Sequence, residues 1–264
     1  MGFLSDKCSV FSHTDEMLKQ SKPFSCGDKD LDEFFMHDAV KYERQLLGKS
    51  YSFRLDSDNS IIVCMFTLSN SSIDARNLPN NRRRKLTENI PHEKSLSTYP
   101  ATLIGRLGVD KNFSGKGVGL ELIKYIKQRM LLLSNIAACR YLTVDAYSNE
   151  SALKFYEANG FKPLFSSDKQ EKEYIGLPID KELKTRLLYF DLIKLNNIKM
   201  DFIKVYGTGK LYEAELIVGL LSNNNIEATV INKRDSQYLF GEAEVHVAAA
   251  DAEMAKEIIS NRHE

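Results

Sequence analysis

The chain has 264 residues, 43% hydrophobic and 27% charged, with 36 basic and 36 acidic side chains. That is room for one large domain or two modest ones, and no apolar run nears the ~18 residues that span a bilayer. Cys8, Cys26, Cys64 and Cys139 are too scattered for a disulfide framework or metal site, so reduced thiols in a cytoplasmic protein are expected.

The opening Met1–Lys7, charged from Asp6 on, is not expected to be a signal peptide. About 27 residues of mixed character end in Pro23–Gly27. Asp28 or Asp30 can then cap a helix, and Asp30 with Glu33 has the form of a capping box. Leu31, Phe34, Phe35, Val40, Leu46 and Leu47 keep an irregular helical stripe that Gly48 is expected to stop. Ser50–Leu55 and Ile61–Leu68 read as strands, with Asp56–Asn59 as the hairpin turn. Ser69–Tyr99 is polar and holds the basic run Arg82, Arg83, Arg84 and Lys85.

The next stretch is the most informative. A short apolar strand around Ile104 breaks into alternating Gly115, Gly117 and Gly119, and a helical pattern runs from Leu120 to Leu133. Glycines let the backbone take φ > 0 and let a ligand approach closely. The unpaired N–H groups and dipole of a helix start suit phosphate oxygens. The turn lacks the Gly-Lys-Ser/Thr ending of a Walker loop, and its spacing is not that of a dinucleotide fingerprint. A buried strand, Tyr141–Ala146, follows, then a short helix over Ala152–Ala158 stopped by Asn159 and Gly160. Leu187–Leu195 reads as a last strand, reached over a charged loop, Ser166–Lys184.

The charge balance hides an asymmetry. Residues 1–199 carry 30 Lys and Arg against 25 Asp and Glu, a net of +5, whereas residues 200–264 carry 6 against 11, a net of −5. The reversal falls on the polar run Asn196–Asp201, where two domains, 1–198 and 199–264, are expected to meet. Met200 would suit the start of a fused module.

The order of elements with the residues at its joints resembles the GCN5-related N-acetyltransferase (GNAT) family over roughly residues 14–195. The family's Arg/Gln-x-x-Gly-x-Gly/Ala motif falls on Ser114, Gly115, Lys116, Gly117, Val118 and Gly119, with Ser114 departing at the first position. Its second motif, Asn-x-x-Ala-x-x-x-Tyr-x-x-x-Gly-Phe, is met by Asn149, Ala152, Tyr156, Gly160 and Phe161. The resemblance implies an α+β fold with a mixed, mostly antiparallel sheet splayed at an acetyl-CoA site. It implies that acetyl-CoA, as co-substrate and without a metal, meets Ser114–Leu120, the strand edge at Leu107 and Val109, and the Asn149 amide. Gly105 and Gly108 would ease the bulge such a splay needs.

An amine then attacks the thioester, and the departing thiolate needs a proton. A phenol can supply it, and Tyr156 matches the position the family uses; otherwise Tyr156 is an aromatic packed on the sheet. Asp110 and Asp145 are carboxylates near strand ends, each either a base or a turn cap, and water is a third candidate for the amine proton. Arg106 either contacts substrate or pairs with a core carboxylate.

Phe24, Cys26 and Gly27, then Leu31, Asp32, Phe34 and Phe35, then Gly105–Asp110 and Val144–Ala146 resemble the branch that includes bacterial toxins acetylating aminoacyl-tRNA. Arg83 and Arg84, with their basic neighbours, would suit a phosphate-rich substrate or would form an ordinary solvated surface. Cys26 reads as a small packing residue.

In the tail, Phe202–Val205 reads as a strand, and Leu211, Ala214, Val218 and Leu221 as a helical stripe. Ile226–Ile231 and Ala243–Ala249 read as strands, the second with Ala243, Val245, Val247 and Ala249 inward against Glu244 and His246. Asp251 then caps a last helix. This β-α-β-β-α order resembles small bacterial signal-transducing domains of ferredoxin-like build. A regulatory or partner-binding module is expected, with His246 an exposed strand residue.

Three functions follow. The first is an acetyltransferase acting on a small-molecule or protein amine. A second is toxin-type acetylation of aminoacyl-tRNA, with a ribbon-helix-helix antitoxin as partner. The third is a non-catalytic acyl-CoA sensor signalling through the tail, which loss of Tyr156 or the glycines would favour; both are present. No membrane is implicated, and a homodimer is among the expected assemblies.

Overall fold

The computed structural model describes residues 2–88, 90, 96–131, 138–195, 202–224, 226, 228–232, 242–248 and 251–261. The chain divides into two compact units, residues 1–127 with 139–191 and residues 128–138 with 192–264. The expected joint Asn196–Asp201 lies outside the described residues.

The first unit is built on a seven-stranded sheet in the order β1-β2-β3-β4-β5-β7-β6. Its strands are β1 Cys8–Ser12, β2 Lys49–Leu55, β3 Asp58–Asp74, β4 Thr98–Val109, β5 Tyr141–Tyr147, β6 Lys162–Pro163 and β7 Thr185–Asp191. Every neighbouring pair is antiparallel except β4 with β5. Ile62–Phe66 in β3 and Tyr141–Val144 in β5 are buried on both faces, which explains why they read as continuous apolar runs rather than alternations.

Helix α1 Phe3–Lys7 precedes β1, and α2 Asp15–Lys19, α3 Lys29–Glu33 and α4 Ala39–Arg44 come between β1 and β2 in the chain. Asp28, not Asp30, caps α3, its Oδ1 accepting from the Leu31 N–H at 3.1 Å. A π-helical turn, Phe34–Asp38, joins α3 to α4 and buries Phe34 and Phe35. This segment ends before Gly48: α4 stops at Arg44 and Leu46 takes a left-handed φ of 58°.

Four further readings are corrected. Ser69–Asp74 is not part of a polar connection but continues β3, because β4 pairs it residue for residue from Ser69↔Leu103 to Asp74↔Thr98; that pairing overrides weak strand propensity. The basic run lies on a helix, α5 Asn80–Thr87, which buries only Leu86 and Thr87 and so leaves no apolar stripe to read. The charged loop 166–184 contains α8 Asp168–Ile175, capped by Ser167 and closed by Gly176 at φ 70°. Glu171, buried in α8, accepts from Arg186 Nε at 2.7 Å and the Leu187 N–H at 2.5 Å, fastening the helix to β7. The last strand ends at Asp191 rather than Leu195. Two longer helices, α6 Val118–Met130 and α7 Glu150–Ala158, carry the motifs; Gly160, at φ 77°, follows α7 as expected.

In the second unit β8 Phe202–Thr208, α9 Leu211–Asn223, β9 Ala228–Asn232, β10 Ala243–Ala248 and α10 Ala252–Ser260 give the β-α-β-β-α order. The sheet runs β8-β10-β9, antiparallel throughout. Ala243, Val245 and Val247 are buried against Ala214, Ile217, Leu221, Ala255 and Ile259. Glu244 alternates to the other face, yet it is buried too, held by Lys204 Nζ and His246 Nε2, each at 3.0 Å. Asp251 occupies the N-cap of α10 without a side-chain bond to it.

Candidate active site

The parallel neighbours β4 and β5 pair only from Ala101↔Tyr141 to Leu103↔Thr143. Beyond that point β4 runs to Val109 and β5 to Tyr147 without facing residues. The divergence begins at a bulge: Thr67 and Leu68 of β3 face Arg106 and Ile104, leaving Gly105 as the extra residue. Gly108 serves differently, since a Cβ there would stand 3.1 Å from the Cys26 Cβ and 3.4 Å from Phe24. It admits the loop before α3.

A cavity of about 1380 Å³ occupies the opening. That exceeds the usual range of roughly 300–1,000 Å³ for a single small ligand, leaving space for a cofactor and an acceptor. Leu107, Val109, Ser114, Gly115, Gly117, Val118, Gly119, Leu120, Asn149 and Tyr156 all line it, as do Arg106 and Asp145.

The glycine turn forms one wall. Gly115 and Gly117 have φ of 73° and 81°, and a Cβ at either would meet nothing within 4 Å. They are glycines for backbone conformation. Gly119 is a glycine for space: a Cβ would stand 3.0 Å from the Phe155 ring. Helix α6 begins at Val118, with the Glu121 N–H donating to Gly117 O at 3.1 Å. The N–H groups from Gly117 to Leu120 therefore have no acceptor within the helix, an arrangement that suits an anion. Lys116 stands outside the cavity, its Nζ donating to Asn112 O at 2.8 Å.

Asn149 is the N-cap of α7, its Oδ1 accepting from the Ala152 N–H at 2.8 Å. Tyr156, on the same helix, packs edge-on to Phe155 and Phe161 and is 9% exposed. Burial pushes its phenol up to about 12, so it keeps its proton at any physiological pH. Asp145 is open to cavity solvent yet walled by protein, and burial raises its carboxyl above the usual range. Asp110 is committed elsewhere: it accepts from the Ser25 N–H, the Asn112 N–H and Asn112 Nδ2 at 3.1, 2.9 and 2.9 Å. The Arg106 guanidinium lies 3.6 Å from the Phe34 ring centroid and 5.8 Å from that of Tyr42. Cys26 lines the cavity, its thiol raised to about 11 by burial, with carboxylates nearby adding to the shift.

Arg83 and Arg84 do not reach the cavity. Arg83 donates to the carbonyls of Ala75 and Arg76 at 2.7 and 2.6 Å, fastening α5 to the chain that follows β3. Sequence reasoning did not single out Tyr147, which faces the Asp28 carboxylate at the cavity wall, or the buried Lys127 of α6. The first sits one residue past the predicted strand; the second resembles any lysine on an amphipathic helix.

Among the described residues no group of three or more His, Cys, Asp or Glu is arranged to hold a metal ion. Among them, too, no helix is long and apolar enough to cross a membrane. Residues 89–163 match the family model described as "Acetyltransferase (GNAT) domain", and residues 202–263 match "Putative prokaryotic signal transducing protein". Solved structures share the fold of the first part. A KacT variant is 20% identical, over 73% of this chain and 99% of its own, with a TM-score of 0.56. AtaT complexed with acetyl-methionyl-tRNA is 21% identical over 72% of this chain and 98% of its own, TM-score 0.54. AtaTR bound with acetyl-CoA is 21% identical over 73% and 98%, TM-score 0.54. The chain therefore carries a GNAT acetyltransferase domain, of the class that draws its acetyl group from acetyl-CoA, followed by a domain of the signal-transducing family.

Proposed function

We propose that the enzyme binds acetyl-CoA in the gap between β4 and β5 and passes its acetyl group to a primary amine by direct attack, with Tyr156 as general acid. The observation that carries this reading is the shared cavity: the glycine turn, the unpaired edge of β4 and Tyr156 line one space. In this reading the turn amides hold the pyrophosphate, the Leu107–Val109 edge pairs with the peptide-like pantetheine arm, and the free Asn149 amide N–H donates to that arm. The amine nitrogen bonds to the acetyl carbon, the carbon–sulfur bond breaks, and the sulfur takes the Tyr156 proton. Asp145 takes the amine proton, because it lines the cavity whereas Asp110 is held by three hydrogen bonds outside it.

The proton affinities of donor and leaving group bear on this role for Tyr156. A phenol near 12 is a poor donor to an ordinary thiolate with a pKa of about 8.5. Burial lifts a thiol as well, as it does Cys26 in this cavity, so a buried leaving thiolate lies nearer to the Tyr156 phenol than a solvated one. In this reading proton transfer accompanies C–S cleavage. Loss of turnover in Tyr156→Phe with acetyl-CoA affinity retained is the expected test result; full turnover overturns the assignment.

An aminoacyl-tRNA is the acceptor reading with a specific observation behind it, the likeness to AtaT complexed with acetyl-methionyl-tRNA. Since Arg83 is spent on carbonyls, phosphate contacts on α5 fall to Arg84 and Lys85. Incubating the protein and labelled acetyl-CoA with charged and uncharged tRNA tests it: label on charged tRNA alone supports it, and label on neither overturns it. The same reading brings a ribbon-helix-helix antitoxin as partner. Residues 1–198 are proposed as the catalytic domain and 199–264 as a regulatory module, so a chain ending at 198 should still bind acetyl-CoA.

A further inference from the structure

One buried cation has no part in the reading above. Lys127 of α6 is 8% exposed. Its Nζ donates to the Asn159 carbonyl and lies 3.6 Å from the Phe190 ring centroid and 5.2 Å from that of Phe161. Burying an ammonium costs far more than burying a methionine of similar volume, and burial lowers its pKa to about 8. The position therefore calls for a donor.

What it holds is the end of α7. The Asn159 N–H donates to the Phe155 and Tyr156 carbonyls, and its Nδ2 donates to Phe155 O at 2.8 Å. The Phe161 N–H donates to Tyr156 O, and the Phe161 ring stands edge-on to Tyr156 with centroids 5.5 Å apart. Asn159 O is one of the end carbonyls that a helix leaves unpaired, and a cation there also meets the negative end of the helix dipole. Nearer the start of α6, Gly119 admits the Phe155 ring. The helix that begins at the glycine turn thus grips the tyrosine's helix at two points.

We propose that Lys127 is a positioning residue that fastens α7, and with it Tyr156, to α6, so that acetyl-CoA seated on the turn orders the tyrosine. This rests on the reading of Tyr156 as general acid, but its test does not. Amide hydrogen exchange on the full chain, with and without acetyl-CoA, is the experiment. In the wild type, cofactor should slow exchange both at the turn and across Glu150–Phe161. Lys127→Met, which keeps the packing and removes the donor, should keep the turn's protection and lose about tenfold of the protection in α7. Lys127→Gln, which retains an N–H donor, should fall between. Wild-type protection of α7 in the Met variant overturns the proposal, as does an equal loss at the turn. If the Met variant does not fold, the same comparison is made with Gln, and unchanged α7 protection there overturns it too.

Turnover separates the two claims. Tyr156→Phe should lower kcat and leave α7 protection intact. Lys127→Met should lower kcat by about ten- to a hundredfold at unchanged acetyl-CoA affinity, with the double variant no worse than Tyr156→Phe. Full turnover in Tyr156→Phe would refute the general acid and leave the exchange result standing.

Discussion

The two ends of β4 belong to one strand and do opposite work. From Thr98 to Leu103 it is paired with β3 throughout and with β5 from Ala101 on, and Tyr99 and Ala101 sit in a core with Ile73, Leu86, Tyr141 and Phe165. From Ile104 to Val109 it keeps β3 but has lost β5, and its free edge faces a cavity. Closing a sheet satisfies backbone donors and acceptors; opening it leaves them for something else. The closed end therefore answers for stability and the open end for chemistry, and substitutions at the two ends should change different measurements.

The largest expected effect is at the open end. Tyr156→Phe removes one hydroxyl and keeps the ring against Phe155 and Phe161. General acid catalysis is worth roughly 10²–10⁴-fold, so kcat should fall by that factor while calorimetry finds acetyl-CoA affinity nearly unchanged. If affinity falls instead, the hydroxyl holds the ligand and the open end binds rather than reacts.

Next comes the turn. Gly117→Val forces a β-branched residue to a φ of 81°, and Gly119→Val drives a side chain into Phe155. Together they should abolish measurable acetyl-CoA binding. Unchanged affinity in a folded double variant would remove the turn from the site.

The closed end supplies the contrast. Tyr141 is fully buried and its hydroxyl donates to Leu86 O at 2.6 Å, linking β5 to α5. Tyr141→Phe strands a buried carbonyl, which costs about 1–3 kcal/mol and should appear as a lower urea midpoint. Acetyl-CoA affinity should not move; if it does, the two ends are coupled and do not divide stability from chemistry.

How much of this was legible depended on what kind of signal each residue sends. The turn was legible because φ > 0 restricts the residue to glycine, and Gly115 and Gly117 show that restriction in the sequence itself. Gly160 was readable for a similar reason, as the stop after α7, whereas Asn149 was read from the motif and its capping bond to the Ala152 N–H was not. The continuation of β3 through Ser69–Asp74 was not, since those residues form a strand only because β4 lies beside them. Helix α5 hid behind four cations with almost no buried face. Arg106 could be placed at the opening, but its ring neighbour could not: its guanidinium lies over Phe34, which reaches it from a π-helical turn no periodicity predicts. Lys127 was invisible, because burial and not residue type gives it a role.

The smallest expected effect is the most discriminating about how the opening is made. Gly105 is the extra residue of the bulge, yet its φ is not in the left-handed region and a Cβ there would meet nothing within 4 Å. Gly105→Ala should therefore change stability by no more than about 0.5 kcal/mol. That outcome would mean the splay is fixed by register: β3 holds β4 on one side while β5 leaves it on the other, and the glycine merely allows close approach. A loss well above that, read from denaturant unfolding, would mean that the bulge needs glycine's freedom and that the opening is built into residue 105 itself. Acetyl-CoA affinity measured on the same variant divides the first case further. A stable protein with weakened binding would place the cofactor's arm against the backbone at 105, and intact binding would keep it at Leu107 and Val109.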